Sequence, residues 1–409
     1  MYRTPSFRGA SFFCAVCLLA ALAGCTSAGS APGGTREGFL RDKETAYNLV
    51  FVQHKPAEAL PILEKLSAED AEDRDVMEML AICLTSFAPA MAEGSAEKQK
   101  ALIRSRELAE KAKKKGATNP LLEVIMETVP VDGKTDAAFS GNSAADATMK
   151  LGEAHFARAD YQKALEAYMT AEALDPMAYF APLYAGDCYF AMKRFDEAGK
   201  AYARAVALDP DKETAYRYWG NVLMEAGRME EAQEKFIEAI VAEPYNRFSW
   251  NGIAQWAARS GKRIGHFKVT VPVTVSADGI VVDEKAAKDE KTGSLWLAYA
   301  LQRNRWRDTL FAKRYPSEKQ YRHSLAEECD AIRTMIAAQK EILAQGTMKL
   351  GDVDSSIRIF MDLDIAGLLE PYVLFGLADE GIAKDYEAYR AGHREALKIY
   401  LAGWAVHDS

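Results

Sequence analysis

The sequence predicts an all-α protein made mainly of stacked helix pairs, with a small β-hairpin insertion and a C-terminal helical domain. The main observation is a pattern of small and bulky residues that recurs every 34 residues within 145–260. A stretch of alternating residues follows within 261–293, and helical periodicity without that repeat continues through 294–409. These changes set the predicted domain boundaries, with residues 39–129 as a further helical region and 130–144 as a loop.

Residues 1–24 are predicted to be a signal peptide that is removed from the mature chain. Arg3 and Arg8 precede an apolar run of about a dozen residues, which is too short to span a bilayer. The run ends in Leu22-Ala23-Gly24-Cys25, which resembles a bacterial lipobox. The resemblance implies cleavage before Cys25, lipidation of Cys25, and, because the next residue is Thr26 rather than Asp, an outer-membrane location facing the periplasm. An ordinary secretory signal that carries a cysteine is the alternative.

Residues 25–38 are small and polar and are predicted to form a flexible tether. The 409-residue chain is 49% hydrophobic and 27% charged, an ordinary composition for a soluble fold. Its formal charge of −8 gives no reason to expect a nucleic-acid partner, and no second apolar stretch reaches membrane-spanning length. Membrane contact is therefore predicted through the N-terminal lipid only.

The region 39–129 shows helical periodicity but poor register with the 34-residue repeat. Helices are predicted over 56–66, 76–84 and 102–112. We interpret the region as two degenerate repeats or a cap, because one face of a terminal repeat meets water. Cys83, Cys188 and Cys329 lack metal-type spacing and are predicted to be buried free thiols rather than a disulfide.

The 34-residue unit repeats the same residue types at fixed places. Small residues recur at Gly152, Gly186 and Gly220, and each unit ends on Pro176, Pro210 or Pro244. An alanine is followed four positions later by an aromatic residue at Ala164/Tyr168, Ala198/Tyr202 and Ala232/Phe236. This pattern resembles the tetratricopeptide repeat, which implies an α-α superhelix (solenoid). The residues themselves support this, since small residues let two helices approach closely and one helix pair cannot bury its apolar face alone.

In tetratricopeptide superhelices the first helix of each unit lines a concave groove where peptides bind. By this resemblance the groove is predicted to be apolar at its N-terminal end and to carry amides and an arginine at the other. The predicted lining residues are Met149, Glu153, Phe156, Phe180, Leu183, Asp187, Phe190, Arg217, Asn221, Met224, Asn251 and Gln255. The alternative is that Phe156 and Phe190 are core between repeats, or are covered by the β-hairpin.

The β-hairpin is predicted from residues 267–275, which alternate with a period of two, followed by a turn at Ala277-Asp278-Gly279 and a return over 280–282. An isolated hairpin is marginal in water, so it has to pack on the rest of the protein or be ordered by a partner. After it, helices are predicted over 295–311, 317–344, 355–369 and 385–404, within a packed helical domain.

No motif supports catalysis, a metal or a cofactor. His323 and Glu327 have a spacing that can hold a metal ion, but no third ligand is placed, and a pair on a helix surface is favoured. Arg303, Arg305 and Arg307 flank Trp306, and a partly exposed helix face is favoured over a site for an acidic partner.

The sequence therefore predicts a lipid-anchored protein of the cell envelope that binds other proteins through the groove, as a scaffold or assembly factor. The alternative is an enzyme or small-molecule binder with its site in residues 294–409. A closed pocket with converging polar groups in the C-terminal helices would favour the alternative, and an open apolar groove on the repeats would favour the first hypothesis.

Overall fold

The computed structural model describes residues 36–53, 55–91, 95–134, 138–276 and 279–408. The described residues are mainly helical, and the prediction of an all-α repeat fold with a small β-hairpin is confirmed. Contacts divide the chain into two units, Met1–Lys235 and Phe236–Ser409, which are described separately. Among the described residues no helix is both long and apolar enough to cross a bilayer.

The N-terminal part of the first unit contains five helices around one hydrophobic cluster. They are α1 (Arg36–Tyr47), α2 (Pro56–Glu69), α3 (Arg74–Phe87), α4 (Ala96–Lys114) and α5 (Pro120–Thr128). The three predicted helices lie within α2, α3 and α4, whereas α1 and α5 were not predicted. The signal for α5 is Asn119 before Pro120, because the Asn119 side chain accepts a hydrogen bond from the Leu121 N–H and caps the helix.

The repeat region has the helix pairs that the 34-residue pattern predicts. Its elements are α6 (Ser143–Ala157), α7 (Tyr161–Leu174), α8 (Phe180–Ala191), α9 (Phe195–Leu208), α10 (Glu213–Glu225) and α11 (Met229–Ala242). A Cβ atom on Gly152 would lie 2.3 Å from the Tyr168 ring, and one on Gly186 would lie 2.5 Å from the Tyr202 ring. The glycines are therefore required by the close approach of the two helices in each pair.

In each unit, the turn between the two helices contains one residue with a positive φ angle, the left-handed backbone conformation, at the same repeat position. These residues are Ala159 (φ 62°), Lys193 (φ 59°) and Gly227 (φ 75°). Only the third is a glycine, the residue that adopts this conformation without strain. The fixed turn conformation sets the angle at which the second helix returns along the first.

After the end of α11, the second unit continues with α12 (Arg247–Arg259) and contains two short antiparallel strand pairs. β2 (Val273–Ser276) pairs with β3 (Gly279–Val282), which is the predicted hairpin with a shorter first strand. The side chain of Asn304 holds β3 by accepting from the Ile280 N–H at 3.0 Å and donating to the Ile280 carbonyl at 2.7 Å. β1 (Lys262–Ile264) pairs with β4 (Val406–Asp408), a pair that is too short to show periodicity in the sequence.

The remaining helices of the second unit form the predicted C-terminal helical region. They are α13 (Glu284–Ala287), α14 (Gly293–Arg305), α15 (Phe311–Arg314), α16 (Leu325–Ala344), α17 (Ser355–Ile365), α18 (Leu369–Tyr372), α19 (Glu380–Ala383) and α20 (Tyr386–Tyr400). The prediction that α16 begins at 317 is wrong: Ser324 caps the helix by accepting from the Glu327 N–H, so residues 317–324 lie outside it.

Candidate functional site

The predicted groove residues of the first unit lie on α6, α8 and α10, but half of the twelve predicted residues are buried. The buried ones are Met149, Phe156, Leu183, Asp187, Asn221 and Met224. Met149, Phe156 and Leu183 belong to the hydrophobic cluster of the repeats, as the alternative interpretation held for Phe156. The prediction that these apolar side chains line an open groove is wrong, because they fill the space between helices.

The partly exposed groove residues of the first unit are Glu153, Phe180, Phe190 and Arg217. Phe139, from the segment before α6, packs its ring against Phe180 at 6.0 Å and so covers part of it. Asn251 is exposed and Gln255 is partly exposed on α12; both belong to the second unit. The accessible face of the first unit therefore centres on Phe190 and Arg217.

Two carboxyls, the partly exposed Glu153 and the buried Asp187, stand at the same position of successive units. Each is hydrogen-bonded to a tyrosine of the second helix. The Tyr168 hydroxyl donates to Glu153 at 2.5 Å, and the Tyr202 hydroxyl donates to Asp187 at 2.6 Å. In the third unit this position is Asn221. The sequence predicts both the acids and the tyrosines at repeat positions, but not the hydrogen bonds between them, although Tyr168 and Tyr202 recur at the same interval of 34 residues.

Burial dominates the electrostatics of these two carboxyls. It raises the pKa of Glu153 to about 7 and the pKa of Asp187 to about 8, although the tyrosine hydrogen bonds act in the opposite direction. Oδ2 of Asp187 is buried without a hydrogen-bond partner among the described residues. At neutral pH Asp187 is therefore mainly protonated and has a hydroxyl available to donate.

Arg217 is a partly exposed cation close to Asp187. Its guanidinium pairs with the buried carboxylate of Glu213 at 2.7 Å and lies 4.7 Å from the centre of the Tyr218 ring. Beside it, the Lys212 ammonium lies 4.4 Å from the centre of the Tyr179 ring. The face thus carries cations that lie on aromatic rings, an arrangement suited to binding peptide carbonyl or carboxylate groups.

Residues 149–213 match the family profile described as Tetratricopeptide repeat. This part of the chain carries tetratricopeptide repeats. In structural terms, α6–α7 and α8–α9 each hold one repeat, and α10 opens the next. No curated protein matches the chain.

Several solved structures with tetratricopeptide repeats are similar to parts of the chain. The first such domain of Spaghetti (RPAP3), bound to an HSP90 peptide, is 22% identical, covers 30% of this chain and 98% of its own, and has a TM-score of 0.28. The domain of Sgt2 from Aspergillus fumigatus is 20% identical, with coverages of 30% and 82% and a TM-score of 0.28. YrrB, described as having an unusual peptide-binding site, is 16% identical, with coverages of 54% and 93% and a TM-score of 0.26. Similarities of this size carry no information about what this chain binds.

Outside the tetratricopeptide repeats, the second unit contains a buried ionic network that corrects two sequence interpretations. His323 precedes α16 and binds Glu328 at 2.9 Å and Asp379 at 2.8 Å, so it does not form a surface pair with Glu327. Arg303 is buried, with its Nε 3.0 Å from Glu327, and is not part of an exposed helix face. Tyr299 and Tyr321 donate their hydroxyls to Glu328 and Glu327, respectively.

For His323 and Asp379, the hydrogen bonds and opposite charges of their partners shift the pKa more than burial does. Burial alone would lower the pKa of His323, but its hydrogen bonds to Asp379 and Glu328 raise it to about 9. Burial would raise the pKa of Asp379, but the hydrogen bond from His323 lowers it to about 2. Glu327 differs, since burial raises its pKa despite the charge of Arg303. Among the described residues no group of three His, Cys, Asp or Glu side chains could hold a metal ion.

The three cysteines play no part in either site. Cys83, Cys188 and Cys329 are buried free thiols, as the sequence predicts. Burial raises the pKa of each thiol, which makes the nucleophilic thiolate unfavourable at neutral pH.

Proposed function

We propose that the tetratricopeptide repeats bind a peptide segment of another protein along the face of α8 and α10 that carries Phe190 and Arg217. The observation that carries this proposal is that Phe190 and Arg217 remain partly exposed on this face, whereas the apolar groove residues Met149, Leu183 and Met224 are buried. A guanidinium donates charge-assisted hydrogen bonds to carboxylate oxygens, and an exposed aromatic ring offers apolar contact to a peptide side chain.

The side chains around Asp187 suit the same occupant. Phe190 is partly exposed, and Arg217 lies close enough to Asp187 for its charge to lower the pKa of that carboxyl. Aromatic and arginine side chains typically provide the largest contributions in protein interfaces. The proposed function is thus a protein-binding scaffold or assembly factor, with oxygen atoms of the peptide held by Arg217 and an apolar side chain against Phe190.

For the location, we propose a lipid anchor at Cys25 that holds the repeats on the periplasmic side of the outer membrane. Cys25 lies outside the described residues, and the proposal depends on the sequence Leu22-Ala23-Gly24-Cys25. Such an anchor would place the peptide-binding face within reach of other envelope proteins.

The binding face is tested with a variant in which Phe190→Ala and Arg217→Ala are combined with Glu213→Gln. The third change is needed because Arg217 neutralises the buried Glu213 carboxylate. Partners are first captured by cross-linking in detergent-solubilised envelopes, and their affinity for the purified chain is then measured. We expect the variant to bind at least about 30-fold more weakly, since truncations at such anchors cost about 2 kcal/mol or more.

The matched control truncates one apolar side chain and one arginine on the second helices of the repeats. Met169→Ala on α7 and Arg204→Ala on α9 delete an exposed methionine and an exposed arginine that is paired only at the surface. This double variant should retain full affinity. If the Phe190/Glu213/Arg217 variant melts like the parent and binds the same partners equally well, the proposed face is not the site.

The anchor is tested with Cys25→Ala. We expect the variant to remain uncut or to leave the membrane fraction, because the thiol that would receive the lipid is gone. Membrane fractionation and the mass of the chain provide the measurement. Cys17→Ala, within the signal peptide, is the control and should fractionate like the parent; membrane retention of a correctly cut Cys25→Ala chain would contradict the proposed anchor.

A further inference from the structure

The second unit contains a cavity of about 330 Å³ that the functions discussed so far do not use. Its walls include Pro244, Tyr245, Trp250, Gly265, His266 and Phe375. None of these side chains is an acid, a lysine or an arginine. Burial lowers the pKa of His266 to about 4, so this imidazole is neutral at physiological pH. A ligand in this cavity therefore meets no formal charge on the wall.

Three aromatic rings, those of His266, Phe375 and Trp250, meet at one corner of the cavity. The His266 and Phe375 rings are parallel within 3°, with centroids 6.2 Å apart. The Trp250 ring stands at 87° to His266 and at 84° to Phe375. Tyr400 stacks on both His266 and Phe375 at 5.8 Å, so the parallel rings are supported from the side. Surfaces at right angles favour flat, ring-shaped ligands, which can stack on one wall and meet another edge-on.

Trp250, Tyr245 and Gly265 are wall residues whose polar groups form hydrogen bonds within the protein. Trp250 Nε1 donates to the Pro244 carbonyl at 2.7 Å, and the Tyr245 hydroxyl donates to the Leu374 carbonyl at 3.1 Å. The Gly265 N–H donates to the Ala405 carbonyl at 2.9 Å, and the Gly265 carbonyl accepts from His407 Nε2 at 3.0 Å.

His266 is the exception among these wall residues. Its Nδ1 lies 2.9 Å from the Tyr400 hydroxyl, which fixes the orientation of the imidazole. Its Nε2 has no hydrogen-bond partner among the described residues and is not one of their buried unpaired atoms. Nε2 is therefore a side-chain nitrogen of the wall that can form a hydrogen bond with a ligand.

We propose that this cavity is a binding site for an uncharged ring that carries one hydrogen-bonding group, with the ring against Trp250 and Phe375 and the polar group on Nε2 of His266. The aromatic walls supply the apolar contact, and the neutral imidazole supplies one directional bond. Ligands that fit are phenol-like or indole-like rings. Such a ring belongs either to a free small molecule or to an aromatic side chain of a protein, and the test separates these two sources.

The test measures binding of a panel of probes to the full chain by ligand-observed NMR titration. The probes are p-cresol, toluene, tetramethylammonium, benzoate and the blocked peptide acetyl-Gly-Tyr-Gly-amide. We expect p-cresol to bind about tenfold more tightly than toluene, because one hydrogen bond contributes about 1 kcal/mol or slightly more. Benzoate should bind at least about tenfold more weakly than p-cresol, since the wall offers it no positive charge. Tetramethylammonium tests whether the rings instead hold a cation by cation–π contact, in which case it binds as tightly as p-cresol and the proposal fails.

Variants test whether the preference for p-cresol over toluene arises in the cavity. His266→Leu should bind p-cresol and toluene equally, whereas the control His393→Leu, which removes a histidine outside the cavity, should keep the tenfold preference. Toluene binding by His266→Leu verifies that the cavity persists. If that variant does not fold, Phe375→Leu, which removes one aromatic wall, should weaken both ring probes.

A site for free small molecules and a site for an aromatic side chain of a protein give different binding results. Binding of p-cresol without binding of the blocked peptide identifies a site for free small molecules, and comparable binding of both identifies a site for a protein side chain. The proposal is overturned if neither ring probe binds, if the charged probes bind as tightly as p-cresol, or if His266→Leu keeps the preference for p-cresol over toluene.

Discussion

Replacing Arg303 with methionine is expected to reduce the free energy of unfolding by about 3–5 kcal/mol, the cost of breaking a buried ion pair by removing one partner. Nε of Arg303 lies 3.0 Å from Glu327, and its Nη1 lies 3.8 Å from Glu328. Both carboxyls are buried. Without the guanidinium, two neighbouring carboxyls remain in the interior with His323 as the nearby cation.

Urea denaturation of the parent and the variants provides this measurement. Arg305→Met is the matched control, because Arg305 lies two positions further along and is exposed, and it should change stability by less than about 0.5 kcal/mol. The double variant Arg303→Met/Glu327→Gln should recover part of the loss, since it removes one of the unpaired charges. A loss for Arg303→Met no larger than that for Arg305→Met would show that the network does not stabilise the fold.

Replacing Gly186 with leucine is expected to destabilise the repeats by more than about 2 kcal/mol through overpacking. A Cβ at this position would stand 2.5 Å from Cε1 of Tyr202, closer than any real contact. Tyr202 cannot move aside cheaply, because its ring is fully buried and its hydroxyl is bonded to Asp187. The helices α8 and α9 would have to separate.

The control for this prediction is Gly392→Leu on α20, where a Cβ would meet nothing within 4 Å. That substitution should be neutral or slightly stabilising, because leucine has the higher helix propensity. The melting temperatures of the two variants are compared with that of the parent. A Gly186→Leu chain that melts with the parent would mean that the helices of the second repeat do not approach closely.

The repeat architecture could be predicted from sequence because its determinants are local and periodic. Gly152 and Tyr168 are 16 residues apart, and the same pair recurs at Gly186 and Tyr202. Exposure of the predicted groove could not be predicted in the same way. Whether a side chain such as Leu183 is open or buried depends on the helices packed around it and on segments without a repeat pattern, such as the one that brings Phe139 onto Phe180.

The ionic network and the cavity of the second unit could not be predicted from the sequence either, because both depend on contacts between distant parts of the chain. Arg303, Glu327 and Asp379 are far apart in the chain, and Asp379 has no motif that connects it with His323. His266 and Phe375 are equally remote, yet their rings lie parallel in the folded unit. Such groups are brought together by tertiary packing, so their individual residue types predict only a helical surface.

The two carboxyl–tyrosine pairs of the repeats also determine how many protons the folded chain holds. The formal charge of −8 counts every carboxyl as ionised. With pKa values of about 7 for Glu153 and about 8 for Asp187, both carboxyls still hold protons near neutral pH in the folded chain. In the unfolded chain their pKa values return to the ordinary 4.5 and 3.8, and these protons are released. Because the unfolded state binds fewer protons, the stability that these two groups contribute is complete below about pH 4 and is lost as the pH rises through 7 and 8. Folding of the repeats is therefore coupled to proton uptake, and alkaline conditions oppose it.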